Sequence, residues 1–221
     1  MKTILLLLAA SLASAQVAEK ANTGYRTKEG RENMARTLGA PDRAERLKAA
    51  ELTRSLAIRP GMLVADLGSG AGALLPALSA AAGPGGRVIA QDIFRDFLEK
   101  ARAKAQAEKL ANVMYVEGTE RNPNLPENCC DLVVAVDAYH HFDYPEPVLA
   151  GVRRALRPGG RFAVVDYYKR FDAMGNGAFA LEHIRLDADD VIKEIEAQGF
   201  KLADRREHVP GKQYIAVFTA R

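Results

Sequence analysis

The sequence predicts an α/β fold: a three-layer sandwich with helices on both faces of a mainly parallel seven-stranded sheet, completed by an antiparallel C-terminal strand. Three observations predict it. From Met62 onward short apolar runs alternate with helix-length segments, the order that builds right-handed crossovers onto a parallel sheet. Runs such as Leu132-Val133-Val134-Ala135-Val136 are apolar at every position, as strands covered on both faces must be. The last two runs are separated by a short stretch holding Pro210-Gly211, which is too short for a crossover and suits an antiparallel pair.

The elements follow in chain order. Residues 1–15 begin with Lys2, continue through Leu5-Leu6-Leu7-Leu8 and end in Ala13-Ser14-Ala15, the layout of a secretory leader and too short to span a bilayer. Export to the periplasm or outside the cell is therefore expected, with no stable membrane insertion once the leader is removed. Residues 16–40 are polar and show no periodicity over the first half, so a flexible start of the mature chain is expected. Residues 41–221 form the single predicted domain. Ala44, Leu47, Ala50, Leu52 and Leu56 share a helical face, which predicts a helix over 41–58, stopped by Pro60-Gly61. Strands are predicted over 62–67, 87–92, 112–117, 131–136, 161–167, 200–207 and 213–219. Helices are predicted over 72–82, 94–107, 146–156 and 188–198. The glycine-bearing segment between Tyr168 and Ala188 is expected to form a lid over substrate.

Composition narrows the function. The 221 residues carry 31 Lys and Arg against 28 Asp and Glu, a net charge of +3 that offers no phosphate-tracking surface, so nucleic acid is not expected as a partner. The two cysteines, Cys129 and Cys130, are neighbours; a bond between them would be strained and two thiols make no structural zinc site. They are expected to pack at the entry to a central strand.

The stretch Val64-Ala65-Asp66-Leu67-Gly68-Ser69-Gly70-Ala71-Gly72 is a buried strand turning sharply into a helix, with glycines that let a ligand lie against the backbone. Gly68, Gly70 and Ala73 also match a dinucleotide spacing, but Asp66 disfavours a pyrophosphate at short range and suits a cationic ligand. S-adenosylmethionine, with its ammonium and sulfonium, is such a ligand. Asp92 ends the second strand 20 residues after Gly72, where a carboxylate can accept both ribose hydroxyls, and Ile93 follows it to pack on adenine.

The order Asp66-x-Gly68-x-Gly70-x-Gly72, strand-end Asp92, Asp131-Leu132-Val133-Val134 and Leu156-Arg157-Pro158-Gly159-Gly160 resembles the class I S-adenosylmethionine-dependent methyltransferases, from about Arg54 to the C-terminus. Residues 118–126 and Val136-Asp137-Ala138-Tyr139-His140-His141-Phe142 look like exported bacterial proteins of that Rossmann-like class. The resemblance implies S-adenosylmethionine as cofactor, held by Asp66, Gly68, Ser69, Gly70, Gly72, Asp92, Ile93, Gly118, Thr119, Glu120 and Asp137. Either Thr119 or Glu120 would read the adenine, because Thr119 stands where the family usually has an acid. It also implies acceptor contacts from Asp137, Tyr139 and His140, with His140 as the proton-accepting group. No metal is expected, since His140 and His141 have no third ligand at short spacing.

The function expected is methyl transfer by in-line displacement to a small-molecule acceptor. Two alternatives stand beside it: an inert S-adenosylmethionine-binding protein of the same fold, and a nicotinamide-dependent oxidoreductase.

Overall fold

A computed structural model describes residues 16–221; the leader-like stretch lies outside them. Seven strands form one sheet in the order β3-β2-β1-β4-β5-β7-β6. The strands are β1 (Leu63–Leu67), β2 (Arg87–Asp92), β3 (Val113–Glu117), β4 (Cys130–Val136), β5 (Leu156–Tyr167), β6 (Phe200–Val209) and β7 (Gln213–Ala220). All neighbours from β3 through β5 pair in parallel, and β7 runs antiparallel to both β5 and β6. The expected sheet is therefore the observed one.

The apolar runs bury both faces because each carries two packing surfaces. In β4, Val133 and Ala135 belong to one core and Leu132, Val134 and Val136 to the other. One side is covered by α6 (Pro145–Ala155) and α8 (Ala188–Ala197), which supply Leu149, Val152 and Ile195. Across the sheet, α3 (Ala49–Ser55), α4 (Leu75–Ala82) and α5 (Arg95–Ala107) supply Leu52, Leu75, Leu78 and Ala101. Among the described residues no helix is long and apolar enough to cross a membrane. Cys130 opens β4 and is buried beside half-buried Cys129, as expected, and burial pushes the Cys130 thiol up, away from reactivity.

Two expectations are corrected. The helix expected over 41–58 is broken into α2 (Arg43–Arg46) and α3, because Lys48 takes a left-handed conformation, φ 47°, between them. This turn swings Arg43 inward while α3 keeps its apolar face on the sheet. Residues 16–40, where no regular structure was expected, contain a 3-10 turn (Thr23–Tyr25) and helix α1 (Lys28–Leu38), the latter capped by the Thr27 hydroxyl accepting from the Gly30 amide. The stretch lies across the carboxyl ends of the parallel strands. Short helix α7 (Phe179–His183) sits within the segment expected to act as a lid.

Candidate active site

In an open parallel sheet the place for a ligand is the crevice where strand order reverses, here between β1 and β4. A cleft of about 440 Å³ opens there, within the size range of small-molecule sites. The turn after β1 supplies Gly68, Ser69 and Gly70; Gly68 and Gly70 adopt φ of 77° and 54°, which side chains disfavour. The loop is clipped to β2, because the Gly68 and Ser69 amides both donate to the Gln91 carbonyl. The Gly70 amide donates to Asp92 Oδ2 at 2.8 Å, and the Phe94 amide to Oδ1 at 3.0 Å. Asp92 thus braces the loop it was expected to complement.

Asp66 and Asp92 both line the cleft and are almost entirely withdrawn from solvent, Asp66 being 2% exposed. Burial first, and the charge of Asp92 second, push the Asp66 carboxyl up to about 7. Burial raises Asp92 to about 6, against the lowering effect of the amides it accepts. The Ser69 hydroxyl is buried with no partner, although its residue lines the cleft. Two acids in want of a positive charge, an unpaired hydroxyl and a bare backbone turn fit a ligand bearing an ammonium and ribose hydroxyls. Ile93, Thr119 and Glu120 also line the cleft. The Thr119 Oγ1 already accepts from the amides of Arg121 and Asn122, so the free side chain at this edge is that of Glu120.

Gly72 and Gly118, expected to touch the cofactor, do not line the cleft. A Cβ on Gly72 would stand 2.8 Å from Leu75 Cδ1 and 3.1 Å from the Ala101 backbone, so this glycine lets α4 and α5 approach each other. A Cβ on Gly118 would lie 2.1 Å from Gln91 Nε2, so here absence of a side chain lets β3 close on β2. Both act on packing behind the site.

The expected acceptor residues divide. Asp137 lines the cleft with φ 51°, and its Oδ2 receives Arg43 at 2.6 Å while Oδ1 accepts from Gln213 Nε2 at 2.5 Å. Burial raises the Asp137 carboxyl despite the Arg43 charge. Tyr139 is in the core, fully buried, and donates to Glu194 Oε1 at 2.6 Å; it ties the end of β4 to α8 and does not line the cleft. His140 is 3% exposed and sits behind the cleft wall, its Nδ1 2.7 Å from Asp166 Oδ1 and its backbone amide donating to Asp166 Oδ2. The imidazole that does line the cleft is His141. It stands one residue further along the 3-10 turn Tyr139–His141 than the histidine expected at the acceptor.

His141 Nδ1 is 2.8 Å from Asn22 Oδ1; since Asn22 Nδ2 donates to the His141 carbonyl and to Asp143, Nδ1 carries the proton. His183 of α7 joins the two histidines. Burial and the neighbouring rings lower His141 well below its ordinary value, and lower His183 to about 4. For His140 burial works against charge, but the Asp166 carboxylate outweighs it and the value is raised.

Helix α1 and its flanks roof this site. The Tyr25 ring stacks on Phe94 at 5.9 Å and meets His141 edge-on at 5.0 Å, and Arg31 bridges to Asp96 at 2.8 Å. The Ala18 amide donates to Asp143 Oδ1. Burial, then Asp92, raise the Tyr25 phenol to about 12, so it stays a neutral donor. Asn22, Tyr25, Arg43 and His183 carry no sequence motif; their partners lie far along the chain.

Residues 65–164 match a family described as a methyltransferase domain. A sterol 24-C-methyltransferase of Gibberella zeae is 30% identical over 174 residues, 73% of this chain and 45% of that protein. The ubiquinone/menaquinone biosynthesis C-methyltransferase UbiE of Burkholderia cenocepacia is 30% identical over 117 residues, 53% of this chain and 48% of its own. The chain thus spans about half the length of the curated relatives it matches. Among solved structures, an S-adenosylmethionine-dependent methyltransferase from Aquifex aeolicus superposes with a TM-score of 0.77 at 24% identity, over 84% of this chain and 96% of that one. Residues 65–164 thus match a methyltransferase domain, the sheet shares the fold of the Aquifex aeolicus enzyme, and the match implies S-adenosylmethionine as the cofactor.

Proposed function

We propose that the protein transfers a methyl group from S-adenosylmethionine to a small-molecule acceptor. The observation that carries this reading is the pair of buried acids, Asp66 and Asp92, facing a roofed cleft of about 440 Å³. When bound, S-adenosylmethionine supplies an electrophilic methyl on a positively charged sulfur. The chain's own residues then have three tasks. Asp66 and Asp92 hold the cationic and hydroxyl-bearing parts, Glu120 and Ile93 flank the base, and the Gly68 to Gly70 backbone allows close approach. The α1 roof covers part of the cleft and reduces its exposure to water. His141, with Nδ1 committed to Asn22, presents its other nitrogen as an acceptor that can orient a hydroxyl, thiol or amine. Alignment of this kind contributes several kcal/mol on the order of 7 to 11 in favourable intramolecular cases.

A small acceptor is supported by the size of the cleft, about 440 Å³ and within the range of small-molecule sites, and by the sterol and quinone methyltransferases among the relatives. The leader-like start supports export, which the N-terminal mass of protein recovered from its host would check. That location favours one competing reading, a cofactor-binding protein without turnover. Labelled methyl transfer from S-adenosylmethionine into a panel of thiols, phenols and amines separates the two: binding by calorimetry with no transfer to any acceptor would favour the inert form. Tight binding of a nicotinamide dinucleotide instead would overturn both.

The raised acids give a pH prediction. Their folded values, about 7 and about 6, lie above the unfolded carboxylate value of 3.8, so charging them costs the ligand-free fold stability as pH rises from about 4 to 7. A cationic ligand prefers the charged form. Affinity for S-adenosylmethionine should rise about tenfold between pH 6 and pH 8 and level off above, with protons released on binding near pH 6.5. Calorimetry in buffers of different ionisation enthalpy measures both; a flat profile would mean that the cation lies elsewhere.

A further inference from the structure

Three of the four histidines of the chain converge on one spot, although His183 stands more than 40 residues from His140 and His141. One ring nitrogen from each lies within 4.8 Å of the other two. The ring centroids of His140 and His141 are 4.1 Å apart, and those of His140 and His183 5.1 Å. Among the described residues no hydrogen bond joins one ring to another; the bonds the rings make point outward, to Asp166 from His140 and to Asn22 from His141. The Nε2 of His140 is buried and has no partner. A buried nitrogen of this kind ordinarily costs stability.

We propose that His140, His141 and His183 form a binding site for a divalent transition-metal ion, zinc or a metal of similar preference for imidazole. Three imidazoles with a position left open, any proton on them displaced as the metal binds, are the donor set of a catalytic rather than a structural zinc site. The outward bonds are what such a site needs around it: a ligating histidine donates its second N–H to a carboxylate or amide oxygen, which fixes the tautomer and aims the free nitrogen. Asp166 does this for His140 and Asn22 for His141. Nitrogens bound to one tetrahedral zinc at about 2.0 to 2.1 Å stand roughly 3.3 Å apart, so the widest of the ring-nitrogen separations, within 4.8 Å, must close by up to about 1.5 Å. His183 is the ring able to move, being half-buried on a five-residue helix that follows Gly175 and Gly177, both with φ of 66°. The remaining two rings lie on the 3-10 turn after β4, held by the sheet.

Since His141 also lines the cleft, an ion here would take up its free nitrogen and would itself, in place of the imidazole, meet and polarise an acceptor oxygen or sulfur. That use rests on the methyl-transfer reading; the binding of the ion does not.

The test uses the full chain without a histidine tag, stripped with chelator and titrated with Co²⁺ alone and with Zn²⁺ alone. One equivalent of Co²⁺ should bind and give the intense visible bands of four- or five-coordinate cobalt, and Zn²⁺ should displace it. His183→Ala should lose at least tenfold in affinity together with the bands, while circular dichroism confirms its fold. Asp166→Asn should bind 10 to 100 times more weakly with all three ligands retained. Absence of one-to-one binding, or binding that His183→Ala leaves unchanged, would overturn the site whether or not the protein binds S-adenosylmethionine.

Discussion

Asp92→Ala will weaken S-adenosylhomocysteine binding by on the order of a hundredfold, the equivalent of one or two charge-assisted hydrogen bonds. The spent cofactor is the better probe, since it keeps the ribose and removes the sulfonium charge that Asp66 would also feel. Two losses combine. The carboxylate can no longer accept from ribose hydroxyls, and the Gly70 and Phe94 amides that it held at 2.8 and 3.0 Å are left without their acceptor, so the glycine turn loses its brace. Asp92→Asn retains one oxygen of the right shape and should fall between, at about tenfold. Calorimetry on both variants, with thermal melts to confirm that each is folded, reads the result. An affinity equal to that of the parent in Asp92→Ala would place the sugar elsewhere and remove the donor assignment from this crevice.

Arg43→Met should lower stability by about 3 kcal/mol, because it strands the Asp137 carboxylate in the interior with only Gln213 to answer it. Arg43 is itself largely buried, at 16% side-chain exposure against 5% for Asp137, so solvent screens the pair little. For a domain of this size the change corresponds to a fall in melting temperature of roughly 6 to 12 °C. Adding Asp137→Asn to Arg43→Met should recover part of it, since a neutral amide has no need of a cation. Urea unfolding measures the cycle. A loss under about 1 kcal/mol for the single variant would mean that the pair behaves as a surface contact.

How much of this was legible beforehand depended on the kind of signal. Strand β2 is observed over the residues that periodicity assigned to it, and β1, β3 and β4 differ by a residue, because a strand buried on both faces writes itself as an unbroken apolar run. Asp66 and Asp92 were legible for the same reason: an acid that ends such a run stands out. The limits were equally physical. Arg43 and Asp137 are 94 residues apart and Asn22 and His141 are 119 apart, so neither bond leaves a local pattern. His183 sits in a glycine-bearing segment with no ligand spacing to His140. The exchange of His140 for His141 at the cleft turns on the direction of successive side chains along one 3-10 turn, which the Tyr139-His140-His141 string does not encode. Gly72 and Gly118 look like ligand contacts in a motif, yet their missing side chains make room for Ala101 and Gln91.

The α1 roof is joined to the body of the domain on both lips of the crevice, through Asn22 and Ala18 at Asp143, Arg31 at Asp96 and Arg43 at Asp137. The cleft stays partly open, so these ties narrow the exit of a molecule seated beneath the roof without closing it. Escape is then timed in part by local detachment of residues 18–43, and not by the fit of the occupant alone. Dwell times of the substrate and product forms of the cofactor should accordingly converge, and repeated turnover would be paced by emptying rather than by bond making. Asp96→Asn would weaken the Arg31 tie while keeping Arg31 against the Phe94 ring, and should speed release of bound S-adenosylhomocysteine, a rate that stopped-flow displacement reads.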